Sequence, residues 1–222
     1  MKVSFDDLVL DRGKVLRFLG YASKPVPPLI SRKIDEELSL AGELLQPAAF
    51  YKNLQIEAIA GDRVILEGGV EFNSRYAAEG LKDCTKACLA IYTVGGFIET
   101  RIQEYSNGNE MIRGMILDKI GVVALDDLNR QLREVVASAS GGCMVSCQLF
   151  PSQKDFSVSS QKTIHDLFTG ENNAIAISEY FQLQPVKSAA VVMGLGKTEE
   201  SLTMCENCDK PCSQRMVNNP CS

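Results

Sequence analysis

The sequence predicts an α+β domain over residues 1–197, followed by a tail of different chemistry over residues 198–222. Three observations lead there. Apolar residues recur at helical spacing in long segments, above all 29–45 and 110–138. Between such segments stand apolar runs bounded by glycine, ACLAIYTV before Gly95-Gly96 and KSAAVVMG ending at Gly194, which suit buried strands. Finally, four of the eight cysteines fall in the last eighteen residues, in MCENCDKPCSQRMVNNPC, a stretch with too little apolar material for a core of its own.

The elements follow in chain order. Asp11 is placed to cap a short helix over 14–20, ending at Gly20. Pro25, Pro27 and Pro28 make a stiff connector. Leu29, Ile30, Ile34, Leu38, Ala41, Leu44 and Leu45 then form one apolar stripe, and Pro47 ends that helix. Residues 50–59 and 63–72 read as strands joined by a Gly61-Asp62 turn, with a bulge or break at Gly68-Gly69. A short helix over 77–82 precedes the strand 87–94. Helices over 97–105 and 110–138 follow, separated by Asn107-Gly108, and Gly141-Gly142 stops the second. Strands over 144–150, 174–177 and 187–194, with a helix over 159–168, complete the domain.

Composition excludes several classes. A net charge of -5 with scattered Lys and Arg provides no basic stripe for nucleic acid and no polybasic run for an anionic membrane. No apolar stretch approaches the roughly 20 residues needed to span a bilayer. The opening MKVSFDDLVLDRGKVL has acids where a signal peptide needs apolar residues, so a cytoplasmic protein is expected. Cysteines in that compartment are expected as reduced thiols or metal ligands.

Cys205, Cys208, Cys212 and Cys221 form C-x2-C-x3-C-x8-C. Thiolates converging on zinc or on an iron–sulfur cluster would order such a tail, because metal–ligand bonds substitute for the missing core. Two further pairs, Cys84/Cys88 and Cys143/Cys147, have C-x3-C spacing. On a helix each pair would be neighbours, and on a strand each would share a face about 13 Å apart. They read as small buried hydrophobes or as a second metal site. His165, the one histidine, sits on a helical pattern and reads as a surface or capping residue. GLGKT at 194–198 lacks the first glycine of a phosphate loop, since Val191 stands there; a strand end accounts for it.

Four stretches in order resemble the reactivation domain of cobalamin-dependent methionine synthase, in its free-standing form with a cysteine-bearing C-terminus. They are VLRFLGY at 15–21, MILDKIGVVALDDL at 115–128, LFPSQKDFSVSSQKTIHDLF at 149–168 and LQPVKSAAVVMGLG at 183–196. The resemblance implies a curved, mainly antiparallel sheet packed with helices, with S-adenosylmethionine as ligand. It also implies docking over cobalamin carried by a partner, a methionine synthase or other corrinoid-binding methyltransferase. The candidate ligand residues it gives are Asp126, where the family usually has Glu, and Gln148, Pro151, Ser152 and Gln153, from its Arg-x-x-x-Gly-Tyr segment. Gln148 stands at the Arg, Ser152 at the Gly and Gln153 at the Tyr. Gln supplies neither the charge nor the rigid donor fork of Arg. Two functions remain open: an accessory protein for reductive reactivation of a corrinoid protein, with the tail as its metal centre, or a metal-stabilised scaffold that has lost ligand and reaction.

Overall fold

In a computed structural model of the chain the described residues are 2–4, for their backbone alone, 8–172 and 174–197. The tail cysteines Cys205, Cys208, Cys212 and Cys221 lie outside them.

Strand β1 (Lys2–Ser4) is followed by α1 (Arg12–Phe18). The Asp11 carboxylate accepts hydrogen bonds from the Gly13 and Lys14 backbone N–H groups at 2.7 and 3.1 Å, the cap expected from sequence. Helix α2 (Pro28–Leu44) opens with proline at its first position, where a missing N–H costs no helical bond. The long strand β2 (Ala48–Ala60) leads into β3 (Arg63–Leu66) and β4 (Val70–Asn73). Sequence patterning joined the last two as one strand with a break. The break is a turn: Gly68 and Gly69 both take φ of 77°, which reverses the chain and makes a hairpin.

Helix α3 (Arg75–Leu81) starts at Ser74, whose hydroxyl accepts from the Ala77 N–H. Strand β5 (Lys86–Thr93), α4 (Phe97–Asn107) and the 29-residue α5 (Met111–Ala139) come next. Then follow β6 (Met144–Leu149), α6 (Ser160–Asp166), β7 (Ala176–Ile177), β8 (Leu183–Gln184) and β9 (Ser188–Gly196). The two-residue ladder of β7 with β8 gives no period long enough to detect, and sequence reading did not find β8.

The main sheet runs β4-β3-β2-β5-β9-β6, with every pairing antiparallel. One edge of β2 pairs with β5 over Ala48–Gln55. Its other edge pairs with β1 near Ala48 and with β3 beyond Ile56. Register shifts at Ile56/Ala58 and at Val145/Cys147 curve the sheet, as bulges do. The fold is therefore α+β, built on a curved antiparallel sheet.

Helices cover both faces, which is why β5 and β9 are apolar throughout instead of alternating. Ala49, Tyr51, Cys88, Ala90, Tyr92, Val191 and Met193 face α1, α2, α4 and α5. Phe50, Leu89, Ile91, Leu149 and Val192 face α3 and α6. Helix α5 braces the first layer with Ile116, Leu117, Ile120, Val123, Leu128, Leu132 and Val136, all essentially inaccessible. Each such aliphatic side chain contributes about 1.5–3 kcal/mol of transfer free energy. Between α2 and α5 the inaccessible Glu37 carboxylate accepts from Arg113 and, at 3.0 Å, from the Tyr105 hydroxyl. No helix among the described residues is long and apolar enough to cross a membrane.

Candidate ligand site at the seam of α5 and β6

Asp126, Asn129 and Arg133 are spaced three and four residues apart on α5, so they share one stripe of the helix. Asp126 Oδ2 lies 2.6 Å from the Lys14 ammonium of α1, and both side chains are more than one third exposed. Beside it, Asp127 is buried and accepts from the Val9 backbone N–H and from Gln131 Nε2, each at 2.8 Å, and from Arg130 Nε at 2.9 Å. Burial alone would raise the Asp127 carboxyl, but these donors hold it below the ordinary carboxylate value. The neighbouring carboxylates thus differ: Asp126 faces partly to solvent, and Asp127 anchors the segment preceding α1.

Gln148 of β6 is 4% exposed and points toward α5, where its Oε1 accepts from Asn129 Nδ2 at 2.9 Å. That bond leaves Gln148 Nε2 and Asn129 Oδ1 buried without a hydrogen-bond partner among the described residues, and Arg133 Nε, one turn further along the stripe, is in the same state. Exchanging oxygen and nitrogen in both amides keeps one bond and still leaves one donor and one acceptor unmatched. Buried polar atoms are rarely left so, and a site expecting a ligand or water is where they occur. The arrangement leaves two donors and one acceptor along the stripe of α5 that also carries the Asp126–Lys14 pair, a set whose chemistry matches the carboxylate and ammonium of a zwitterion.

The segment after β6 turns toward the opposite face of the sheet. Pro151 is buried and Ser152 exposed. Gln153 Oε1 accepts from the Phe150 N–H at 3.2 Å and from the Tyr76 hydroxyl at 3.3 Å, so this side chain closes its own loop. Asp155 then caps α3, accepting from the Arg75 and Tyr76 N–H groups at 2.7 and 3.1 Å. Ser152 adopts φ of 84°, the left-handed region glycine favours, so serine keeps here the backbone shape expected of a glycine position.

Of the five ligand candidates from sequence, Gln148 is bonded to Asn129, which shares a stripe of α5 with Asp126. The structure sets Pro151, Ser152 and Gln153 in a loop held by α3. Sequence reading missed Asn129, Arg133, Asp127 and Lys14. A signal for two of them was present: Asn129 and Arg133 interrupt the apolar pattern of α5 at i+3 and i+7 from Asp126. No group of three or more metal-ligating side chains occurs among the described residues.

The remaining candidates resolve individually. His165 Nε2 lies 3.1 Å from the Ile175 carbonyl and Nδ1 lies 3.5 Å from Asp166, which ties α6 to the loop before β7. Cys88 is inaccessible among apolar neighbours, and burial pushes its thiol up to about 12. The C-x3-C pairs do not share a sheet face. Cys84 lies in the turn before β5, where strand alternation does not apply, and the bulge at Val145/Cys147 separates Cys143 from Cys147, so that the two pack in different layers.

No family model matches the chain, and no curated protein matches it. Among solved structures, the crystal structure of the MetH reactivation domain bound to AdoHcy is similar. The TM-score is 0.57 and the identity 10%, with 91% of this chain and 80% of that chain covered. At that identity the likeness is one of fold, and it holds for nearly the whole length. The curved antiparallel sheet and its two helical layers are the architecture of a methionine synthase reactivation domain.

Proposed function

We propose that this protein is an accessory in corrinoid-dependent methyl transfer, serving the reductive reactivation of a methionine synthase or related corrinoid-binding methyltransferase in the cytoplasm. The observation that carries this reading is the coincidence of the fold with the unmatched polar atoms at the α5–β6 seam. An S-adenosylmethionine-type ligand has a carboxylate for Gln148 Nε2 and Arg133 Nε, and an ammonium and sulfonium for the Asp126 carboxylate. This chain's residues would bind and orient that ligand, and the corrinoid of the partner would supply the methyl chemistry. In this reading residues 1–197 form the docking domain, and Cys205, Cys208, Cys212 and Cys221 hold an iron–sulfur cluster or zinc.

Two measurements test it. Titration with S-adenosylhomocysteine by calorimetry is expected to give saturable heat that is lost in Asn129→Leu; no heat at millimolar ligand removes the ligand role. Anaerobic purification with iron and zinc assays is expected to show metal that Cys208→Ser abolishes; unchanged metal content refutes the tail assignment.

A second reading, a metal-stabilised scaffold without ligand, draws support from the Lys14 ammonium already on Asp126 and from the uncharged Gln148. It predicts no heat with either S-adenosyl compound, but the same metal content.

A further inference from the structure

We propose that Cys84 and Cys147 form a reversible disulfide, a thiol pair unconnected with the cysteines of the tail. Cys84 stands in the turn between α3 and β5, with its N–H donating to the Leu81 carbonyl at 2.9 Å. Cys147 lies on β6, two strands away across β9. They meet because the β9 residue between them is Gly194, directly opposite Cys147 in one ladder and Ala87 in the other. A Cβ built on Gly194 would lie 2.6 Å from Cys84 Sγ and 2.7 Å from Cys147 Sγ. The two sulfurs can be no farther apart than those distances laid end to end, about 5 Å, against about 2 Å in a disulfide. Both thiols also converge on the Gly80 carbonyl, at 4.0 Å for Cys84 and 3.1 Å for Cys147. Any side chain at position 194 would collide with this pair, a physical reason for glycine inside a buried strand.

The two thiols differ in access. Cys84 is partly exposed and sits in a turn outside the strand ladders; Cys147 is 5% exposed. The oxidant is a low-molecular-weight disulfide of the glutathione type. The Cys84 thiolate attacks one sulfur of that disulfide, forming a mixed disulfide and releasing one thiol. Cys147, losing its proton, then attacks the Cys84 sulfur and releases the second thiol. Two electrons and two protons pass from the protein to the reagent, and one S–S bond forms in place of another. The product links the turn after α3 to the edge strand β6 across β9, and so fixes the strand carrying Gln148.

The test uses the full chain, equilibrated with reduced and oxidised glutathione, quenched by alkylation, digested and mapped by mass spectrometry. The expected result is a peptide pair joined through Cys84 and Cys147, lighter by about 2 Da than its two thiol peptides together and released by reductant. An upward shift in Tm should accompany it, because the bond closes a long loop. Mapping separates this linkage from any among the tail cysteines. Recovery of Cys147 as an alkylated thiol refutes the proposal, whether Cys84 is then alkylated, carries glutathione or is joined to a tail cysteine. In Cys147→Ser, Cys84 is expected to stop at the glutathione adduct; absence of that adduct also counts against the mechanism.

Discussion

Replacing Asn129 and Gln148 together should make the protein more stable and, in the proposed function, abolish binding of an S-adenosyl ligand. In the native seam the two amides share one hydrogen bond, worth about 1 kcal/mol net, and leave two buried atoms unmatched at about 1–3 kcal/mol each. Gln148→Met removes the bond and one unmatched atom but strands the Asn129 Nδ2 donor, so the single change costs about 1 kcal/mol. Asn129→Leu/Gln148→Met removes both unmatched atoms as well as the bond. The double variant is therefore expected to gain about 1–5 kcal/mol, which for a chain of this size raises Tm by about 2–20 °C. Urea unfolding and scanning calorimetry of both singles and the double close the cycle, and titration with S-adenosylhomocysteine reads binding. A double variant less stable than the native chain would show that the seam is already satisfied by ordered water. The case for a ligand there would go with it.

Three further outcomes are expected. Arg113→Leu leaves the inaccessible Glu37 carboxylate with Tyr105 as its one partner among the described residues, and should cost about 3 kcal/mol, or about 6–12 °C in Tm; adding Glu37→Leu should restore most of it. The Asp127 carboxyl is held below its ordinary value, so its contribution is present above about pH 4 and lost as pH falls through the folded value. The stability gap between the native chain and Asp127→Asn, measured by urea titration, should accordingly narrow on acidification. A gap that is flat with pH contradicts the anchoring of Val9. Ser152→Gly should stabilise by about 0.5–1 kcal/mol in the same assay, because φ of 84° strains serine and not glycine.

Much of the architecture was legible because long periods leave statistical traces. Helices α2 and α5 repeat their apolar positions over many turns, and β5 and β9 are apolar end to end. The caps at Asp11 and the turn at Gly61 are single-residue chemistry that sequence states outright. What escaped depends on partners distant in the chain. The β7–β8 ladder is two residues long, and the hairpin of β3 with β4 hid behind one continuous pattern. The site was half legible: the resemblance supplied Asp126 and Gln148, but Asn129 gains meaning only when β6 lies beside α5. Likewise nothing in C-x3-C spacing pairs Cys84 with Cys147, since a bulge and a glycine on a third strand bring them together.

The divided edge of β2 sets how the molecule can come apart. Among the described residues the β3–β4 hairpin joins the main ladder only through the distal portion of β2, from Ile56 onward across the irregularity at Ile56/Ala58. Its amides should consequently exchange with deuterium through local fraying, while those of β5 and β9, walled in on both sides, wait for global unfolding. Substitutions at the exposed positions of that arm should thus leave the centre of the protein undisturbed, whereas Val64, Leu66 and Phe72, buried with Phe50 and Leu89, would transmit any change to it.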